Sequence, residues 1–221
     1  MKKNEKLDII YEDKDIIVVN KPAGLLTVST DKEKEKTLFH NVYMYIKKKN
    51  KNNKVFIVHR LDKDTSGIVM FAKNESLKIK FQNDWDNLAV ERKYVAIVHG
   101  SVNDKKGEVI SWLKETKTLL TYSSSKKGDG KRAITEYRTV GNNDNYSLLD
   151  IEIKTGRKNQ IRVHMKDIGH PIVGDNKYGL NDKFKRMYLH AYKLSIINPV
   201  TKKSFVFETD IPTEFIKLIQ K

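Results

Sequence analysis

The sequence predicts an α+β fold around a large, mostly antiparallel or mixed sheet with flanking helices. Strand-like apolar runs outnumber segments with helical periodicity, and the two kinds do not alternate strictly along the chain. A doubly wound parallel sheet is therefore disfavoured, because that architecture requires alternation. No internal repeat or long linker divides the 221 residues, so we expect a single domain over residues 1–221.

Eight strands and four helices are predicted. The strands are expected at residues 8–11, 15–20, 66–72, 92–98, 134–140, 146–154, 187–197 and 203–208. The helices are expected at residues 36–48, 75–88, 159–168 and 212–220, the last of which has Pro212 near its start. Two polar, lysine-rich stretches, 47–54 and 121–131, are predicted to be exposed loops that could contact phosphate.

Charge and composition narrow the class of protein. The net charge of +15 indicates a polyanionic partner, nucleic acid before an anionic membrane, although the lysine excess also fits a codon bias. The absence of cysteine excludes disulfides, a cysteine nucleophile and cysteine-type metal sites. No phosphate-binding P-loop and no paired-histidine zinc motif is present. The start MKKNEKLDII and the lack of an apolar run of about 18 residues predict neither a signal peptide nor a membrane span, so we expect a cytoplasmic protein.

The segment HRLDKDTSG, residues 59–67, carries more polar chemistry than a turn requires. It places a histidine, an arginine and two aspartates directly before the apolar strand expected at 66–72. Polar groups supported by the end of a rigid strand are typical of a functional site. The same residues also suit an ordinary turn, and their spacing does not choose between Asp62 and Asp64.

A second polar segment, KTGRKNQIRVH, covers residues 154–164 and is followed by GHPIVGD at 169–175. Arg157 and Arg162 are two of only seven arginines in the chain. Arginine presents a planar fork that binds carboxylate or phosphate, which lysine cannot reproduce. The pattern favours a functional site. The alternative is a basic helix face that is exposed to solvent.

These segments together resemble the RluA-type pseudouridine synthases. HRLDKDTSG resembles the family signature, NKPAGL (20–25) its N-terminal segment, KYVAIVHG (93–100) its tyrosine-bearing strand, and TGRKNQIRVH with GHPIVGDNKYG its arginine-bearing segment. Leu189-His190-Ala191 and Asn198-Pro199 resemble its C-terminal strand pair, and the matches follow the family order from about residue 8 to 212. Asn159 departs from the usual histidine, which puts one local hydrogen bond in question. The pattern begins almost at Met1, so the small RNA-binding module of many members is not expected.

The resemblance implies the pseudouridine synthase fold, with a long bent sheet and a basic central cleft that holds Asp62. It implies an isomerase that breaks the bond from ribose C1′ to uracil N1, turns the base and rejoins it through C5, without a metal or nucleotide cofactor. Asp62 would attack C1′ or remove a ribose proton. Arg162 would keep that carboxylate ionised, and Tyr94 would hold the flipped base.

The resemblance also implies how RNA is bound. Arg60 would fill the space that the flipped uracil leaves in its stack. Lys21, Arg157 and the lysine-rich loops would contact phosphates and make the affinity depend on salt. Ribosomal RNA and transfer RNA are both open as substrates, with ribosomal RNA slightly favoured, and a monomer is expected.

Three alternatives remain at the level of sequence. The first is a non-catalytic RNA-binding protein on the same scaffold, which would form no pseudouridine. The second is a carboxylate hydrolase that acts on nucleosides or sugars and would release free uracil. The third is a basic membrane-surface protein, which would prefer anionic vesicles to RNA.

Overall fold

The computed structural model describes residues 7–220, which contain eleven strands and five helices. The strands are β1 (Ile9–Glu12), β2 (Ile16–Lys21), β3 (Phe56–Ile57), β4 (Ser66–Ala72), β5 (Glu91–His99), β6 (Lys106–Glu115), β7 (Thr121–Ser124), β8 (Lys131–Asn142), β9 (Tyr146–Ile153), β10 (Leu189–Ile197) and β11 (Ser204–Glu208). The helices are α1 (Leu38–Lys49), α2 (Glu75–Asn83), α3 (Trp85–Leu88), α4 (Gln160–Asp167) and α5 (Thr213–Ile219).

The described residues form two compact units, one from residues 7–90 and 193–209 and the other from residues 91–192 and 210–220. Within each unit the neighbouring strands pair antiparallel. The predicted α+β class with mostly antiparallel pairing is thus confirmed. The bend of the sheet and the central cleft remain predictions. Between residues 7 and 220, no helix is both long enough and apolar enough to span a membrane.

The first unit is organised around β4, which pairs with β2 and β3, while β1 extends the sheet from β2. All seven residues of β4 are buried, as expected for a continuous apolar run, and its bounds agree with the predicted strand at 66–72. Leu77 and Phe81, one turn apart on α2, pack with Met70 of β4 in the core. The turn that precedes β4 is therefore supported by a rigid, fully buried strand.

The second unit has the strand order β5–β9–β8–β6–β7. Successive residues of β5 face opposite sides of the sheet, so each side can be covered by a different helix. Val95 packs with Phe215 of α5, whereas Ala96 packs with Ile161 of α4. The helix α4, which carries Arg162, thus lies against one face of this sheet.

The observed elements correct the predicted ones at several places. The predicted loop at 47–54 begins only after Lys49, where α1 ends, and the two-residue strand β3 was not predicted. Residues 121–131 are not one loop, because β7 occupies Thr121–Ser124 and β8 begins at Lys131. The strand β6 was not predicted, because its alternation is broken where Ile110 is exposed and Ser111 is buried. The predicted helix at 75–88 is two helices, since Asp84 leaves the helical region with φ −137° and ψ 32°.

The helix α4 also differs from the solvated basic face that composition allowed. Gln160, Arg162 and His164 are all buried, along with the apolar residues of the helix. Buried polar groups need partners, and His164 bonds to Ser111 and Thr135, each at 2.8 Å. These three polar side chains of α4 therefore belong to the interior of the second unit.

Candidate active site

The turn that carries Asp62 is fixed on both sides of that residue. The Thr27 hydroxyl donates to the Leu61 carbonyl at 2.7 Å and accepts from the Leu61 N–H at 3.2 Å. The Lys63 carbonyl accepts from the Gly24 N–H at 2.9 Å. Asp62 itself is half-buried. These bonds restrict the backbone from which the carboxylate extends, which favours a preorganised reacting group.

Lys21 adds a third anchor to the same turn. Its side chain is fully buried, and Nζ donates to the carbonyls of Pro22 at 3.1 Å, Leu25 at 2.7 Å and Lys63 at 2.9 Å. Three carbonyl acceptors match the three N–H donors of an ammonium group. This geometry favours a structural role and gives no support to the phosphate contact predicted for Lys21.

The remaining polar residues of this segment have different surroundings. Arg60 and Asp64 are exposed. His59 stacks on Trp85 with ring centroids 4.6 Å apart, and its Nε2 accepts from the Met70 N–H at 3.0 Å. His59 therefore helps to attach the turn to β4, while Arg60 is accessible to a large ligand.

Tyr94 lies on β5 of the second unit, opposite Ile151 of β9. It is half-buried and packs against the cluster that includes Ala96 and Ile161. A tyrosine on a central strand has a well-defined ring position, because its neighbours on both strands limit its rotamers. The structure thus supplies a fixed, partly accessible aromatic side chain.

Arg162 is held by a buried ion pair with Asp175. Its Nε donates to Oδ2 at 2.7 Å and its Nη2 to Oδ1 at 2.6 Å, which is the bidentate arrangement. Asp175 also accepts from the N–H groups of Lys177 at 2.9 Å and Tyr178 at 3.0 Å. Burial raises the pKa of Asp175, but Arg162 and these N–H groups outweigh it, so the pKa lies below the ordinary 3.8.

Asn159 and Tyr178 complete the surroundings of the Arg162 guanidinium. Asn159 Oδ1 accepts from Arg162 Nη1 at 3.1 Å, and its Nδ2 donates to the Tyr178 hydroxyl at 3.0 Å and to Thr121 Oγ1 at 3.4 Å. The Tyr178 ring lies 5.0 Å from the guanidinium carbon. Asn159 has a left-handed backbone with φ 55°, which asparagine tolerates better than most residues. Asn159, which stands where histidine is usual, thus hydrogen-bonds to Arg162, Tyr178 and Thr121.

Arg157 lies in the turn before α4 and is half-buried. Its Nε donates to the Arg132 carbonyl at 3.0 Å, and its backbone N–H donates to Gln160 Oε1 at 3.0 Å. The first of these bonds attaches the guanidinium to the start of β8.

The structure distributes the predicted residues over both units. The first unit contains Lys21, Arg60 and Asp62, and the second contains Tyr94, Arg157 and Arg162. Asp175 and Tyr178 lie in the motif GHPIVGDNKYG, but the sequence assigned neither residue a role. No sequence signal marked Thr27. Among residues 7–220, no group of three or more His, Asp or Glu side chains is placed to hold a metal ion.

Comparisons with known proteins show which family the chain belongs to. The family model described as RNA pseudouridylate synthase matches residues 15–167. The chain is 40% identical over 222 residues to ribosomal large subunit pseudouridine synthase D of Borreliella burgdorferi, covering 96% of this chain and 68% of that protein. It is 36% identical over 222 residues to the uncharacterized RNA pseudouridine synthase YlyB of Bacillus subtilis, covering 97% of this chain and 72% of the relative.

A solved structure shows the fold. Human RNA pseudouridylate synthase domain containing 4 superimposes with a TM-score of 0.77 at 21% identity, covering 95% of this chain and 90% of the human chain. The family match, the relatives and the fold lead to one conclusion. The chain belongs to the RluA-type family of RNA pseudouridine synthases and is an isomerase that acts on uridine in RNA.

Proposed function

We propose that this chain is a single catalytic domain that isomerises a specific uridine in structured RNA, with Asp62 as the reacting carboxylate. The observation that carries the proposal is the anchoring of the Asp62 turn by Thr27, Gly24 and Lys21. Attack on ribose C1′ and removal of a ribose proton both require a carboxylate at a set position beside the sugar. A turn fixed on both sides of Asp62 meets that requirement.

Arg162 is proposed as the cation that keeps the Asp62 carboxylate ionised. The contacts with Asp175, Asn159 and Tyr178 support this role, because they set the guanidinium before any substrate arrives. A preorganised charge need not be reoriented during the reaction. Tyr94 is proposed to hold the face of the flipped uracil, which its ordered position on β5 supports.

RNA binding is proposed to involve Arg60 and Arg157. The exposure of Arg60, beside a rigid turn, supports its insertion into the stack from which the uracil is flipped. The attachment of Arg157 to Arg132 supports a phosphate contact, since it limits the motion that binding would otherwise have to restrict. For Lys21, the three carbonyl contacts support a role in holding the Asp62 turn instead.

Large-subunit ribosomal RNA is the favoured substrate. Relatives from Borreliella burgdorferi and Haemophilus influenzae, 40% and 33% identical, are named ribosomal large subunit pseudouridine synthase D. Transfer RNA is the alternative substrate for the same chemistry. The exchange of a C–N for a C–C bond is redox-neutral, so we propose an enzyme without a redox cofactor. We further propose that it is a monomer and works in the cytoplasm.

The test is to map pseudouridine in ribosomal and transfer RNA from cells with and without this protein. We expect one or a few sites in large-subunit ribosomal RNA to be lost. In parallel, purified protein should release tritium from RNA that carries label at uracil C5, because this carbon loses its hydrogen on becoming pseudouridine. Identical maps together with no tritium release would contradict the proposal, and release of free uracil would favour the hydrolase.

A further inference from the structure

A network of buried hydrogen bonds joins α4 to the sheet of the second unit. It connects Ser111 of β6 and Thr135 of β8 with Gln160 and His164 of α4, and all four residues are buried. We call it the α4 network. Replacing buried hydrogen-bonded groups by apolar groups of the same shape is often nearly neutral for stability, so stability alone does not account for a network at this place.

Gln160 makes four hydrogen bonds through its side-chain amide. Its Oε1 accepts from the Thr155 hydroxyl at 2.8 Å and from the Arg157 N–H at 3.0 Å. Its Nε2 donates to the Ile134 carbonyl at 2.9 Å and to the Thr135 hydroxyl at 3.0 Å. These bonds use the full capacity of an amide, and a backbone donor on one side with a backbone acceptor on the other allows only one orientation. Gln160 therefore fixes the start of α4 against β8.

His164 continues the network one turn further along α4. Its Nδ1 lies 2.8 Å from the Thr135 hydroxyl, and its Nε2 lies 2.8 Å from the Ser111 hydroxyl. A hydroxyl both donates and accepts, so two hydroxyls satisfy either tautomer of a neutral ring. Burial lowers the pKa of His164 to about 4, which keeps the ring neutral at neutral pH. The Thr135 hydroxyl is thus shared by both helix side chains and forms the centre of the network.

Arg162 extends from the opposite side of the same helix. Gln160 and His164 are four residues apart and so lie on one face of α4. Arg162 lies midway between them in sequence, which places it about 200° around the helix axis from Gln160. On that side it donates to Asp175 and Asn159. The direction of the guanidinium therefore depends on how α4 is rotated about its axis.

A small rotation of α4 would displace the guanidinium by a distance that matters for chemistry. A helix with its side chains has a radius of about 5–6 Å, so a rotation of about 10° moves its outer atoms by about 1 Å. Apolar contacts, such as that of Ile161 with Ala96, are non-directional and resist such a rotation weakly. Hydrogen bonds depend on distance and angle and resist it more strongly. A misplacement of about 1 Å can lower a rate about 100-fold.

We propose that Thr135, Gln160 and His164 are positioning residues of the reaction, which set the rotation of α4 and thereby the place of the Arg162 guanidinium. This inference rests on the proposed function, because that function makes Arg162 the cation of the reacting carboxylate. A buried network whose members are all satisfied rigidifies its surroundings. Since the network acts on a group of the reaction and not on substrate binding, its loss should lower kcat and leave KM nearly unchanged.

The experiment compares three variants of the full chain with the wild type. Thr135→Val removes the central hydroxyl and keeps the shape, Thr135→Ser keeps the hydroxyl, and Ser147→Ala is the matched control. Ser147 is fully buried in the same unit, and its hydroxyl accepts from the Val102 N–H at 2.8 Å and donates to the Gly100 carbonyl at 2.9 Å. The control therefore loses a buried, hydrogen-bonded hydroxyl and leaves the α4 network intact.

The first readout is the Nε–Hε signal of Arg162 in a heteronuclear NMR spectrum, which does not depend on activity. The chain has seven arginines, and Arg162→Lys identifies the signal by its absence. The Nε–H donates to Asp175 at 2.7 Å in a buried pair, which slows its exchange with water. We expect the signal to shift by more than its line width in Thr135→Val and to keep its wild-type position in Thr135→Ser and Ser147→Ala.

The second readout is tritium release from an RNA on which the wild type is active. Thr135→Val should lower kcat about 10- to 100-fold and leave KM within about twofold. Thr135→Ser and Ser147→Ala should both keep kcat within about threefold, because the hydroxyl of the network is present in each. If Thr135→Val does not fold, Ser111→Ala takes its place, since it removes the partner of His164 Nε2 and leaves the bonds of Gln160.

The outcomes separate positioning from a purely structural role. Equal loss of stability in Thr135→Val and Ser147→Ala, with the Arg162 signal and kcat both unchanged, would overturn the proposal. A shifted signal with an unchanged kcat would also overturn it, because the displacement would then have no effect on the reaction. A wild type that forms no pseudouridine in any RNA would instead refute the proposed function, and the Arg162 signal would still decide whether the network sets the guanidinium.

Discussion

Replacing Arg162 with alanine would leave the carboxylate of Asp175 buried without its cation. The Asp175 side chain has no exposed surface and that of Arg162 is 8% exposed, so water cannot replace the lost partner. Removing one member of a buried ion pair costs about 3–5 kcal/mol of unfolding free energy. Arg162→Ala should therefore destabilise the protein by about that amount at pH 7. Arg138→Ala is the control, since Arg138 pairs with Asp150 while 70% exposed, and it should cost under about 1 kcal/mol.

The pH dependence follows from the pKa of Asp175. In the wild type this pKa is below the ordinary 3.8, so the stabilisation is complete above about pH 4 and is lost as the pH falls through the lowered value. Without Arg162, burial dominates and raises the pKa. The carboxyl then takes up a proton above pH 4, which relieves the buried charge. The stability difference between Arg162→Ala and the wild type should consequently shrink as the pH falls from 7 to about 4.

A double-mutant cycle separates this pair from general damage to the core. Asp175→Asn removes the charge, so Arg162→Ala made in that background should cost at least about 2 kcal/mol less than in the wild type. Urea unfolding followed by circular dichroism at several pH values measures both quantities. A coupling under about 0.5 kcal/mol, or a stability difference that stays constant with pH, would refute the reasoning.

Three further predictions concern single side chains. Asp62→Asn should abolish tritium release while RNA binding stays close to normal, whereas Asp64→Asn should be mild; release by Asp62→Asn near the wild-type rate would reject the assignment, and loss only in Asp64→Asn would mean that Asp64 is the reacting carboxylate. Arg60→Ala should slow the reaction on folded RNA more than on a short unstructured RNA with the same uridine, because only the folded RNA has much stacking to lose; equal slowing on both would argue against base flipping. Burial lowers the pKa of His164 to about 4 from 6.5, so the unfolded chain binds the proton first and stability falls between about pH 6.5 and 4. His164→Gln should reduce that fall by up to about 1.4 kcal/mol per pH unit in urea unfolding, and an unchanged pH dependence would exclude this histidine as its source.

Local sequence was sufficient to predict the elements that are uniformly buried. The run SGIVMFA predicted β4 with its observed bounds, because a strand covered on both faces is apolar along most of its length, here from Ile68 to Ala72. Local sequence failed for β6, where an exposed Ile110 and a buried Ser111 break the alternation. It also failed for the break at Asp84 inside a long helical pattern. The order of motifs along the chain was enough to indicate the family, since several independent segments occur in sequence.

Tertiary structure alone decided how the site residues are held. Arg162 and Asp175 are thirteen residues apart, and nothing local requires their pairing. Asn159 has a left-handed backbone before α4, and its side chain bonds to Tyr178, which lies on another segment. The family resemblance implied a phosphate contact for Lys21, yet its ammonium lies inside the fold and donates to three carbonyls. Composition specifies which groups are polar, but burial and partners depend on contacts between distant segments, and these contacts exist only once the chain has folded.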